Sequence, residues 1–136
     1  MRKLTLLGLV ILLLPLLVAC GTTVESAKAD FCDDLGVFSE SLGGLRDISI
    51  GSTKDDLQDA LKNAEDAWGD VKDSAGKLQD VQLDAVENAF DDLKDAIQDI
   101  PDDATLADAL AAVKDAALAT LNQIVQITVT TCSHSE

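Results

Sequence analysis

The chain has no tyrosine, one tryptophan, one histidine and two prolines, and ten basic residues against 25 acidic ones. These shortages exclude whole classes of activity. Histidine is the side chain most often used for proton transfer near neutral pH, and the only one here, His134, is third from the end. Ser133-His134-Ser135-Glu136 has the residue types of a catalytic triad, but adjacent residues cannot hold triad geometry. Gly43-Gly44 lacks the following lysine of a phosphate-binding loop. Cys32, Cys132 and His134, two cysteines and one histidine, lack the number and spacing of a zinc site. Carboxylates are plentiful, yet acid–base work needs a pocket that drives their pKa values apart. No catalytic residue, cofactor or metal site is therefore expected, and the chain is read as not an enzyme.

What the sequence does have begins at its first residues. Arg2 and Lys3 precede an uncharged run from Leu4 to Ala19 that is apolar apart from Thr5. That run is 16 residues long and holds Pro15. It is shorter than the roughly 20 residues a helix needs to cross a bilayer core. A basic start, a short apolar stretch and a small residue before a cut make a secretory signal. Leu17-Val18-Ala19-Cys20 resembles the lipobox of bacterial lipoproteins. The resemblance implies a diacylglycerol thioether on Cys20, cleavage before Cys20, and acylation of the new amino terminus. Two acyl chains hold a protein stably, at about 0.8 kcal/mol per buried CH₂. Gly21 is not the aspartate that retains such proteins at the inner membrane of two-membraned bacteria. The implied address is the extracytoplasmic face of a cell membrane, or an outer membrane where the source has one.

Cleavage before Cys20 leaves 117 residues, one modest domain. All 25 acids lie after the cut and eight of the ten basic residues remain, giving a net charge of −17. Twenty of the acids are aspartate. Such a field repels phosphate backbones, so nucleic acid is excluded as a partner. It also keeps the polypeptide off anionic headgroups, leaving lipid on Cys20 as the contact with the membrane.

With Cys20 consumed by lipid, Cys32 and Cys132 remain in a compartment where thiols oxidise. A bridge between them is expected. Two free thiols, or a thiol–metal pair with His134, are the competing readings. The bridge would close a loop of about 100 residues, worth up to about 4.7 kcal/mol by chain entropy.

Along the chain, Gly21–Ser26 reads as a small polar tether, reaching at most about 25 Å if extended. Phe31, Leu35, Phe38, Leu42 and Leu45 then recur at steps of four and three, one face of a first helix. Gly43-Gly44 weakens its last turns. Ser52 with Asp55, or Thr53 with Asp56, favours a second helix start. Leu57, Leu61, Ala64, Trp68, Val71, Ala75 and Leu78 continue the pattern. That register would bury Asp92 and Asp99, which is unacceptable for charges. It resumes one residue later at Val86, Phe90, Leu93, Ile97 and Ile100, so a break is placed near Gln79–Gln82. Pro101 ends the third helix. Thr105 with Asp108 starts a fourth, with Leu106, Leu110, Val113, Ala117, Leu121 and Ile124 as its apolar stripe. Ile127-Thr128-Val129-Thr130 alternates like a strand but would have no partner strand, so it is read as helical or fraying.

Parity then selects the topology. With four antiparallel helices Cys32 and Cys132 fall at the same end; with three they lie beyond disulfide reach. The expectation is an all-α, up-down-up-down four-helix bundle closed by Cys32–Cys132 and preceded by a cleaved signal peptide. The segments are 1–19 signal, 20–27 lipidated tether, 28–132 bundle and 133–136 tail. The F-C…L…F pattern at Phe31–Phe38, Ala67-Trp68 and the run Pro101–Leu106 resemble small secreted helical lipoproteins of high-GC bacteria.

Two further patterns carry functional readings. Asp84, Glu87, Asp91, Asp95 and Asp99 form an acidic ridge, and Asp66, Asp70 and Asp73 a second, with Lys62, Lys72 and Lys94 nearby. A solvated face is expected there, with a cation-binding surface as the alternative. Phe31, Phe38, Trp68 and Phe90 are expected to pack the core rather than line a ligand cavity. The function read from all this is a membrane-anchored, non-enzymatic interaction module of the cell envelope, its partner an envelope component or a secreted basic protein. The alternative is a binding protein for a small cationic ligand or divalent metal.

Overall fold

Periodic apolar residues and a clear helix start set the architecture from the second helix outward. The computed structural model describes residues 19–102 and 106–133, with side chains from Val24 onward. Among these residues lie four α-helices and no strand: α1 (Ala19–Arg46), α2 (Lys54–Ala75), α3 (Asp84–Gln98) and α4 (Leu106–Ile127). A single π-helical turn, Thr128–Cys132, continues α4. The apolar run before Ala19, the Thr105 cap and the tail from His134 lie outside the described residues.

Thr53 starts α2 by a reciprocal pair of bonds. Its hydroxyl accepts from the Asp56 backbone N–H at 3.2 Å, and the Asp56 carboxylate accepts from the Thr53 N–H at 2.8 Å. Both satisfy donors that a helix start leaves open. At the other end α2 stops at Ala75. Gly76 caps it, and the chain leaves through two tighter bonds, Lys77 N–H to Ser74 O at 3.2 Å and Leu78 N–H to Ala75 O at 2.9 Å. The register break is therefore a real interruption, but it begins before Gln79. Leu78 lies in the connection, half-buried against the core, rather than in the α2 stripe. The α3 helix starts at Asp84 without a side-chain cap and ends at Gln98, three residues before Pro101.

The core is one continuous cluster. Every stripe residue expected from α1 and α3 is buried, as are Leu57, Leu61, Ala64, Trp68, Val71 and Ala75 of α2. The α1 helix packs most extensively on α2, α3 on α4, and α1 also touches α4. Aromatic rings join the two pairs. Phe38 of α1 lies 5.2 Å from Trp68 of α2 and meets Phe90 of α3 edge-on at 5.1 Å. Edge-to-face geometry sets the positive ring edge against a negative ring face.

Two expectations need correction. Gly21–Ser26 is not extended: the backbone is helical from Ala19, so this segment rises only about 1.5 Å per residue. In α4, Thr120 is fully buried and Leu121 only half-buried. The Thr120 hydroxyl donates to Ala116 O at 2.9 Å, which satisfies it inside the helix and makes its burial tolerable.

The end of α4 explains the strand-like run. Thr128, Thr130 and Ser133 hydroxyls all bond backbone carbonyls of the preceding turn, and Ser133 N–H reaches back five residues to Thr128 O at 3.2 Å. In a regular helix Cys132 would sit about 80° round from buried Ile124. A π turn absorbs one extra residue. It carries Cys132 to the place seven residues past Ile124, on the buried stripe. Cys32 and Cys132 are bonded there, with Cα atoms 6.0 Å apart.

Candidate functional site

Three places could carry function: the amino-terminal end of α1, the acidic surface, and the aromatic centre. Cys20 lies in the first turn of α1, twelve residues before Cys32. Its side chain is outside the described residues. Cys32 and Cys132 are paired with each other, so Cys20 is the cysteine left for other chemistry.

The acidic ridges are exposed along both helices. On α3, Asp91 holds Lys94 at 2.6 Å. That bond raises the Lys94 pKa above its ordinary value, with burial opposing and the field of Asp91, Glu65 and Asp95 adding. Lys94 also lies 5.5 Å over the Phe90 ring, and Lys72 lies 6.0 Å from Trp68. Both ammonium groups thus lie within range of a cation–π attraction to the rings beneath them.

One grouping was not legible from single-helix periodicity. Asp30, Asp33 and Asp34 of α1 line a shallow hollow of about 370 Å³ together with Asp70 and Asp73 of α2. Ser74 and Lys77 complete it. The Ser74 hydroxyl is already committed to Asp70 O at 2.9 Å. Among the described residues no three His, Cys, Asp or Glu side chains converge closely enough to hold a metal ion. The hollow is a concentration of negative potential, not a coordination shell.

Known proteins offer no guide here. No family model, curated protein or solved structure matches the chain.

The remaining resolved electrostatics are structural. Asp56 is held below its ordinary pKa by the Thr53 backbone bond, then by the Thr53 hydroxyl. Asp102 is lowered by its hydrogen bond and charge pairing with Lys54. Lys54 also donates to Ile100 O at 2.7 Å, which ties the start of α2 to the segment after α3. The expected aromatic core is present as packing. Phe38, Trp68 and Phe90 are buried against each other, and Phe31 is buried below them on the same α1 stripe. A second hollow of about 610 Å³ lies near the disulfide, where Val24 and Lys28 of α1 face Leu78, Val81 and Thr130. Among the described residues no helix is long and apolar enough to cross a membrane.

Proposed function

We propose that the protein is an extracytoplasmic lipoprotein, anchored through lipid on Cys20, whose bundle acts by interaction rather than catalysis. The observation that carries this is Leu17-Val18-Ala19-Cys20 directly after a basic start and a 16-residue apolar run. The Cys32–Cys132 bridge supports it, since it belongs to an oxidising compartment and leaves Cys20 for lipid. Labelled palmitate given to growing cells should enter the wild-type chain. Cys20→Ala should take up no label and accumulate as an unprocessed precursor. Normal maturation of Cys20→Ala would refute the anchor.

The bundle runs up-down-up-down in this reading. Three observations support that order: the bridge joins early α1 to the end of α4; Lys54 at the start of α2 bonds Ile100 and Asp102 after α3; and early α1 shares a hollow with late α2. The disulfide end then lies beside the anchor. With a charge of −17 after cleavage, the partner is a basic envelope or secreted protein. Crosslinking in the intact envelope, with identification of the attached protein, tests this; capture of strongly acidic partners alone would contradict it.

A second reading, binding of a small cationic ligand or divalent metal, is favoured by the hollow that Asp30, Asp33, Asp34, Asp70 and Asp73 share. A saturable, stoichiometric calcium or polyamine isotherm, beyond what ionic strength explains, would promote it over the first.

A further inference from the structure

The continuity of α1 ties the disulfide end of the bundle to Cys20. The backbone is helical without a break from Ala19 to Arg46. Val24 therefore lies about 6 Å along the helix from Cys20, and Lys28 about 12 Å. The headgroup layer of a bilayer is about 5–8 Å deep on each face. A lipid on Cys20 thus brings the first turns of α1 into or against that layer. Those turns form one wall of the hollow of about 610 Å³, through Val24 and Lys28. The α2–α3 connection forms a second wall, with Lys77, Leu78, Asp80 and Val81, and the π turn a third, with Thr130.

The lining is of two kinds. Val24, Leu78 and Val81 are apolar, and Val24 is 63 % exposed. Lys28 and Lys77 bring positive charge and Asp80 negative charge. The ion pairs among the described residues use Arg46, Lys54 and Lys94, and neither Lys28 nor Lys77 takes part. We propose that this hollow is the membrane contact of the bundle and seats the headgroup of a zwitterionic phospholipid with a primary amine. The phosphate sits on Lys28 and Lys77 and the ammonium on Asp80. The proposal rests on the lipid proposed for Cys20, which delivers the hollow to the bilayer.

Charge selects this headgroup. Lys77 also borders the acidic hollow of Asp30, Asp33, Asp34, Asp70 and Asp73, whose field repels a net anion. A headgroup with one phosphate and one ammonium has no net charge, so that field does not turn it away. Lysine ammonium groups donate strong hydrogen bonds to phosphate oxygens. A primary ammonium donates in the same way to the Asp80 carboxylate, whereas a choline headgroup has no N–H to give. Val24, Leu78 and Val81 meet the glycerol and upper acyl carbons, which removes apolar surface from water. Seating this end on the bilayer directs the rest of α1 outward, with Arg46 about 33 Å along the helix from Val24.

Carbodiimide coupling of the membrane-extracted protein, reconstituted in vesicles, tests the seat. The reagent joins a carboxylate to a primary amine as an amide and takes up the water lost, becoming a urea. In vesicles of phosphatidylethanolamine and phosphatidylcholine, peptide mapping should find Asp80 as the main lipid conjugate. It should exceed Glu25 and Asp30, exposed acids on the same turns of α1, and far exceed Asp47 beyond the other end of that helix. Lys28→Gln with Lys77→Gln should lower conjugation at Asp80 severalfold, with the lipid mass on Cys20 unchanged. Asp80 conjugated no better than Asp47, in a chain whose mass carries the lipid, would overturn the seat and leave the anchor standing. Equal conjugation of Glu25, Asp30 and Asp80, unaffected by the double substitution, would also overturn it, since nearness to the bilayer alone would explain the result. A chain whose mass carries no lipid would overturn the anchor and the seat together.

Discussion

Single residues hold the ends of these helices. Thr53 and Asp56 satisfy two open N–H groups at the start of α2, so Thr53→Ala should cost about 1 kcal/mol in thermal unfolding. The Asp56 half of that box depends on its charge. Its pKa is depressed in the folded chain, so its contribution is complete above the ordinary carboxylate value of 3.8 and disappears as pH falls through the lowered one. Wild type should therefore exceed Asp56→Asn in stability at neutral pH, and the gap should close in acid; a gap that widens in acid would contradict this. Gly44 makes a different point. It is exposed in the last turns of α1, and an added Cβ would meet nothing within 4 Å. Gly44→Ala should raise stability by roughly 0.5–1 kcal/mol through helix propensity and unfolded-state entropy, measured by denaturant titration. At this scale the cap was readable to within one residue, because Ser52 with Asp55 and Thr53 with Asp56 carry the same pattern and the structure uses the second. The burial of Thr120 was not readable. Its hydroxyl is satisfied within its own helix, so a polar residue hid on an apolar stripe.

At the scale of elements, periodicity carried the reading further than local punctuation did. The phase slip between Leu78 and Val86 separates α2 from α3 because no single helix can bury both stripes without burying Asp92 and Asp99. Its position was less legible. Gly76 ends α2 with an ordinary right-handed φ of −62°, so it lacks the left-handed signature that marks a glycine stop. The alternating run Ile127–Thr130 misled in a useful way. Its β-branched threonines turn their hydroxyls onto the preceding carbonyls and loosen the ladder into a π turn. That turn places Cys132 on the core stripe. The bridge it completes spans 100 residues, and reduction should lower the melting temperature sharply, by up to about 4.7 kcal/mol of stability. Far-ultraviolet circular dichroism should still show helix at low temperature, because the apolar cluster does not depend on the bridge. Loss of helix on reduction would show that the core alone cannot sustain the fold.

The whole molecule is an apolar bundle inside a strongly acidic shell. Its centre is the three-ring contact of Phe38, Trp68 and Phe90, contributed by three different helices. Phe38→Ala removes the ring that touches both others and should cost about 3–5 kcal/mol. The shell acts the other way. Monovalent salt should raise the melting temperature by screening self-repulsion, and millimolar calcium should add no more than its ionic strength explains. A larger, saturable calcium effect would point to the shared hollow of Asp30, Asp33, Asp34, Asp70 and Asp73. That hollow could not be read from sequence, since it joins residues some forty positions apart on two helices, whereas each ridge along one helix could. The proposed anchor stands in the opposite position: it rests entirely on the short segment ending at Cys20. Intact mass of the membrane-extracted protein without reductant tests it most directly. The account predicts a chain beginning at Cys20, heavier by its acyl groups and lighter by the two hydrogens lost when Cys32 and Cys132 oxidise. A chain that keeps residues 1–19, or one that begins at Cys20 with no added lipid, would contradict it.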